Sequence, residues 1–443
     1  MSDIATVTRP PAGRRSLLKP AVRWPLGLLI AAIVVFAYYY LDTYFRGSVA
    51  PSVHDLMATW LPLQSINEAL VYVMCALGLN IVVGYAGLLD LGFVAFWAIG
   101  GYTAGWLMSG FLFQWNFRFF GSQFTKDQHI AGIHITFWLV LIAAGLVCAL
   151  MGIIIGAPTL RLRSDYLALV TLGFGEIIPE VFYNGDKVFG RNLTNGTQGI
   201  TPVDSIRFFT FDSTGALTWK DLGPFDLLSK FFIFCGLAAL ILFASLRIRE
   251  GKLGRAWLAI REDELAASAM GVPLMRTKLS AYAIGAVAGG IAGVAFATHV
   301  SGVLPDRFKF DISITLLAMV VLGGMGNVWG VTVGALGLAW VNSTLLPRAQ
   351  TSFEALTGRN ISFTFLVFGS ILVLMMLFRR EGLIPEARTR LVLREPGRTE
   401  AEALGADMED IAPELEALPD ERVHVEGVPV AARGDVDSEG KTS

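Results

Sequence analysis

Residues 78–105 read GLNIVVGYAGLLDLGFVAFWAIGGYTAG, and this stretch decides the fold. It is apolar nearly throughout and does not alternate polar with apolar residues, as a barrel strand would over about ten positions. Apolar runs of bilayer-spanning length of this kind recur along the chain, the pattern of a helical membrane protein. The glycines add detail. Tyr85–Gly87 reads as a break between two spans, with Asp90 just beyond it. Broken helices at membrane depth offer backbone groups to polar molecules, so Gly84, Gly87, Asp90 and Gly92 are candidates for lining a path.

A second interruption, Gly323-Gly-Met-Gly-Asn-Val-Trp-Gly330, adds Gly323, Gly324 and Gly326 to those candidates. GxxxG spacings at Gly101/Gly105, Gly152/Gly156, Gly285/Gly289 and Gly326/Gly330 read as close helix packing. Thr171-Leu-Gly-Phe-Gly-Glu176 places a carboxylate near the middle of a span, about 11 residues or ~16 Å from Asp165. An ionisable residue at such depth is expensive, so Glu176 is a path candidate as well as a possible helix-fixing group.

Composition agrees with a polytopic membrane protein of all-α class. Of 443 residues 54% are hydrophobic and 16% charged, and the mean hydropathy is +0.57. Ten membrane segments are expected, near 25–42, 66–84, 87–110, 134–156, 165–184, 227–246, 277–298, 312–325, 328–346 and 361–378. The eighth is short enough to be tilted, broken or re-entrant. The bias of Lys and Arg places the N-terminus, Arg161/Arg163, the Arg247–Arg276 loop and Arg379/Arg380 on one side, so both termini are expected in the cytoplasm.

The chain divides into a basic N-terminal segment (1–24), a transmembrane body (25–380) and an acidic tail (381–443) expected to be disordered. The tail carries 16 Asp/Glu against 7 Lys/Arg, which hides a basic body behind a net charge of −2. Cys75, Cys148 and Cys235 lie in apolar runs and form no metal or disulfide pattern. The tail's GDVDSEGKT imitates a phosphate loop but has the wrong spacing and no preceding strand. No catalytic constellation is present, so neither an enzyme, a cofactor, a metal site nor a nucleic-acid partner is expected.

One polar segment interrupts the later half: Gly254–Gly271, GRAWLAIREDELAASAMG, within the 250–276 loop. Its composition favours one helix, with Leu258, Leu265, Ala269 and Val272 near one stripe and Asp263 and Glu264 elsewhere. The small residues keep it thin enough to sit in a groove. An interfacial helix lying on lipid headgroups is the competing reading.

Taken in order, Leu79-Asn-Ile-Val-Val-Gly-Tyr-Ala-Gly-Leu-Leu, Arg161–Glu176, Gly254–Gly271 and Met319–Gly326 resemble the branched-chain amino-acid ABC importer permeases, specifically their longer, M-type subunit. The resemblance covers about residues 60–346. It implies a bacterial inner-membrane complex with a second, H-type permease, two ATPase subunits that bind ATP and Mg, and a periplasmic binding protein. It also implies that Glu264, Ala266, Ala267 and Gly271 belong to the ATPase-facing loop. Asn327 stands where relatives commonly have Ser, and the acidic tail extends beyond the usual core. Related permeases move urea, short amides or aromatic acids. On the residues alone, an ion-coupled carrier using Glu176 or Asp90, or a passive channel, stays open.

Overall fold

A computed structural model describes residues 59–384, apart from 116, 120–130, 163, 188–191, 212–216, 224–225, 358–363 and 379–381, together with residues 34, 37 and 38. Nearly all of the first expected span (25–42) and of the acidic tail therefore lie outside the described residues.

Twelve helices follow in chain order among the described residues. They are α1 (Leu63–Leu79, continued by a π-helical turn Asn80–Tyr85), α2 (Val94–Leu107), α3 (Phe137–Thr159), α4 (Ser164–Tyr183), α5 (Leu227–Glu250), α6 (Lys252–Glu262) and α7 (Glu264–Ala269). Then come α8 (Leu274–Val300), α9 (Phe310–Gly323), α10 (Val328–Trp340, continued by a π turn Val341–Leu345), α11 (Leu346–Thr357) and α12 (Thr364–Phe378). Six helical stretches are long and apolar enough to cross a bilayer: Leu63–Tyr85, Phe137–Thr159, Tyr166–Tyr183, Leu227–Glu250, Leu274–Val300 and Val328–Leu356. The chain is a polytopic helical membrane protein. The expected 87–110 and 312–325 segments are shorter helices of 14 residues each. The former begins only at Val94, because Gly87–Gly92 takes no regular conformation.

The strictly all-α expectation needs correcting. Met108–Ser109 (β1), Phe117–Phe119 (β2) and Ile133–Ile135 (β3) form a small sheet in the order β1-β3-β2, and Arg207–Phe211 (β4) pairs antiparallel with Leu217–Asp221 (β5). These strands lie in connections between apolar helices, where backbone groups can pair across segments. In a bilayer, by contrast, each helix must satisfy its own.

The centre of the body is α1. In its most apolar window 89% of residues are buried, against 28% for α4. It packs with α2 and α8 around Trp97, whose ring meets Phe296, Tyr72 and Phe308 edge-on at centroid distances of 4.9, 5.5 and 5.7 Å. Backbones come closest where no side chain intervenes. A Cβ on Gly100 would sit 2.3 Å from the Gly290 carbonyl oxygen, and one on Gly293 would sit 2.3 Å from that of Trp97. These glycines lie outside the GxxxG spacings read from the sequence.

Two ends result. At one, Gly84–Gly92, Leu160–Leu162, α6, α7, Met325–Asn327 and Gly382–Ile384 come together. This basic end carries Arg161, Arg247, Arg249, Arg255, Arg261 and Arg276. The opposite end joins the strands to Ile200–Asp204 and Ser301–Val303 through backbone bonds.

Candidate functional site

The polar Gly254–Gly271 segment is two helices, and this corrects the single-helix expectation. Asp263 is extended (φ −154°, ψ 113°) and its Oδ1 accepts from Leu265 N at 2.8 Å and Ala266 N at 3.0 Å. An aspartate N-cap satisfies amides that a helix start would otherwise orphan, so the chain stops α6 and starts α7 within one residue. The expected stripe fails for the same reason. The buried face of α6 is Gly254, Trp257 and Ile260, and α7 buries only Ala267. Leu265 is 80% exposed and Met270 86% exposed. Two large apolar side chains thus project from a segment that the described residues leave uncovered there.

The other faces of this segment are anchored. Trp257 Nε1 donates to the Thr277 carbonyl at 3.0 Å. Lys278, nearly buried on α8, pairs with the half-exposed Glu264 at 2.6 Å. The Arg261 guanidinium donates to the Gly84 carbonyl at 2.5 Å, and burial, followed by the neighbouring Arg249, lowers its pKa. Gly87 has φ +69°, and a Cβ there would lie 2.9 Å from Arg261 Cγ; glycine is required both for the turn and for the approach. A cavity of about 400 Å³ separates these helices from the body, lined by Gly87, Arg161, Arg261, Glu264 and Lys278 among others. At the far end Gly271 has φ +84°, again a conformation that favours glycine.

The two glycine-rich breaks meet. Asn80, in the π turn, accepts from Gly326 N through Oδ1 at 2.9 Å, and a Cβ on Gly84 would stand 2.7 Å from the same amide. Gly324 and Gly326 have φ of +110° and +86°. Asn327 caps α10 through Oδ1, while its amide nitrogen donates to Ile384 O at 3.0 Å. Gly323 lies against Gly330 and Gly334, so α9 and α10 cross backbone to backbone. Leu383 N donates to Leu322 O at 2.8 Å, tying the first described residues of the acidic stretch to this break.

The first break also touches α4. Leu91 N donates to Thr171 Oγ1 at 3.1 Å, and a Cβ on Gly92 would lie 2.1 Å from the Thr171 carbonyl oxygen. Asp90 is buried. Its Oδ1 accepts from Gly92 N at 2.9 Å, and Oδ2 lies next to the buried Tyr282 hydroxyl without full hydrogen-bond geometry. Glu176 lies apart from all of this. It is exposed on α4, in an open groove of about 430 Å³ shared with Glu180, Tyr183, Lys309 and Asp311.

Among the sequence candidates, the structure thus joins Gly84 with Gly326, Gly87 with the Gly254–Gly271 segment, and Gly92 with the motif that carries Glu176. Gly84, Asp90, Gly92, Gly323, Gly324 and Gly326 are buried, whereas Gly87 and Glu176 are exposed. Sequence reasoning missed Asn80, Arg261 and Lys278. Asn80 is a polar residue within an apolar run, which is a usable signal. Arg261 and Lys278 carry no sequence pattern that separates them from the other charges around the Arg247–Arg276 loop. Among the described residues, no group of His, Cys, Asp and Glu could hold a metal ion.

Residues 61–377 match the family described as the branched-chain amino acid transport system permease component. The chain is 36% identical over 340 residues to the high-affinity branched-chain amino acid transport system permease protein LivM of Salmonella typhimurium, spanning 73% of this chain and 70% of that one. The same identity and coverage hold for the LivM of Escherichia coli. Identity is 26% over 332 residues to a probable branched-chain amino acid transport permease protein LivM of Methanocaldococcus jannaschii, spanning 71% and 90% of the two chains. No solved structure matches.

Proposed function

Because this chain belongs to the branched-chain amino-acid transport permease family, we propose that it is the transmembrane subunit of an ATP-driven importer that moves branched-chain amino acids into the cytoplasm. ATP and Mg bind to two separate ATPase subunits, a second H-type permease completes the pathway, and a periplasmic binding protein delivers the substrate. The chain sits in a bacterial inner membrane with ten segments, and both termini and the basic end face the cytoplasm.

One observation carries the reading. The segment with Glu264, Ala266, Ala267 and Gly271 projects Leu265 and Met270 outward while Arg261 and Lys278 root it in the body. Exposed apolar residues on a short, rooted helix are what an ATPase groove would grip. A helix lying on lipid headgroups would also expose bases, as Lys252, Arg255 and Arg276 are exposed here, so a protein partner in contact with Met270 is what separates the two readings.

Glu176 supports a path along the exposed face of α4. A carboxylate there facing acyl chains would be costly, whereas a second permease or a water-filled route would accommodate it. The glycine breaks, packed against α4 and the coupling segment, adjust that face. Selectivity is expected to rest largely on the binding protein.

The test joins cross-linking to uptake. Met270→Cys should form a cross-link to a cysteine in the ATPase groove in the assembled complex. Gly271→Pro, which cannot adopt φ +84°, should reach the membrane and lose ATP-dependent uptake of leucine. Full uptake in that variant, or uptake by the lone polypeptide driven by a proton gradient, would overturn the assignment.

A further inference from the structure

Resting on that coupling reading, we infer that Arg261 and Asn80 form the link that carries displacement of the α6–α7 segment into both glycine-rich breaks. Both are positioning residues.

The geometry runs in three steps. Arg261 lies at the end of α6, one residue before the chain turns into Asp263 and α7. Its side chain crosses to the π turn Asn80–Tyr85, donating to the Gly84 carbonyl at 2.5 Å, while its aliphatic carbons fill the space that Gly87 leaves. From the same π turn, Asn80 Oδ1 accepts from Gly326 N at 2.9 Å, across 246 residues of sequence. One turn of α1 thus receives the coupling segment on one side and the second break on the other.

The π turn suits that role. Its hydrogen bonds reach five residues along the chain where an α-helix reaches four, which leaves room for the register to change without unfolding the helix. Such turns recur at functional sites in membrane and soluble helices alike. The Lys278–Glu264 pair holds α7 to α8 instead, so a pull on the segment is divided between a long helix and the break. A guanidinium suits this link better than an ammonium. Its planar set of donors can hold a carbonyl in a fixed direction, whereas a lysine would offer a point charge on a flexible stem.

The experiment uses the whole complex in proteoliposomes, with both permeases, the ATPases and the binding protein, and measures leucine moved per ATP hydrolysed. The Met270→Cys cross-link is scored in the same preparations. Arg261→Met should keep the cross-link and near-normal hydrolysis while lowering leucine per ATP about tenfold. Arg261→Lys should fall between Arg261→Met and the unmodified chain. An unchanged ratio in Arg261→Met would overturn the link. So would a joint loss of cross-link, hydrolysis and uptake that Arg261→Lys restores together, since Arg261 would then only seat the segment. If Arg261→Met does not assemble, Asn80→Ala decides by the same ratio: a fall supports the link and no change refutes it. Absence of the cross-link in the unmodified background sinks the coupling reading first, and the link with it.

Discussion

At the basic end of the body the two breaks meet backbone to backbone across glycines, whereas at the opposite end strands and large side chains add to such contacts, as beside Gly132 and Gly199. Gly84, Gly92 and Gly323 each lie where an added Cβ would fall within 2.7 Å of a neighbouring backbone atom. At the other end His134 and Asp204 form a buried pair at 2.8 Å, and Tyr102 stacks on Phe182 with centroids 3.9 Å apart. The first kind of joint has no room for an extra atom. The second kind fails when a partner is removed. The difference separates positions sensitive to addition from positions sensitive to deletion, and each class gives its own prediction.

Deletion at the opposite end should have the largest effect on stability. His134→Ala leaves the Asp204 carboxylate buried without its partner, a loss of about 3 kcal/mol. Burial already raises the Asp204 pKa, so the orphaned carboxyl can take up a proton, and the loss falls at the low end of the range for buried pairs. Thermal unfolding in detergent measures it, and leucine per ATP should be unchanged in the molecules that remain folded. A fall in that ratio would mean that the opposite end also takes part in coupling.

Addition at the basic end comes next. Gly92→Ala should destabilise by about 1–3 kcal/mol and lower uptake, because Thr171 and Gly175 must move to admit one methyl group. Gly173→Ala, two residues along α4 from Thr171 and with nothing within 4 Å of the added carbon, is the matched control and should be near neutral. Equal behaviour of the two variants would break the comparison. The smallest effect belongs to Glu264→Gln. Its carboxylate is half exposed, so losing the Lys278 pair should cost under about 1 kcal/mol, with the difference shrinking further in high salt.

Much of this was legible because membrane burial writes itself into long apolar runs. The expected segments at 66–84, 134–156, 165–184, 227–246 and 277–298 fall on helices within a few residues at either end. Both breaks were legible because helices in lipid seldom tolerate clustered glycine without a use for it. The kink at Asp263 was legible in principle, since an aspartate followed by Glu-Leu-Ala-Ala is a helix-start signal, but one strong periodic pattern hid it. The β4–β5 hairpin had a signal too, in the aromatic and β-branched residues flanking Asp212-Ser-Thr-Gly215.

What the chain's order of residues determined by itself was the class of protein, the number and place of most apolar helices, the two interruptions and the charged segment between spans. These depend on local composition and on a solvent, the bilayer, that sorts segments one at a time. Only the tertiary structure decided which glycine meets which carbonyl, that Asn80 reaches Gly326, and that Arg261 reaches the Gly84 carbonyl while Leu265 and Met270 are left exposed. Contacts between residues far apart in sequence follow from how whole helices cross. A pattern of hydrophobicity along one helix carries the direction of its buried face, but not the identity of the atom waiting there.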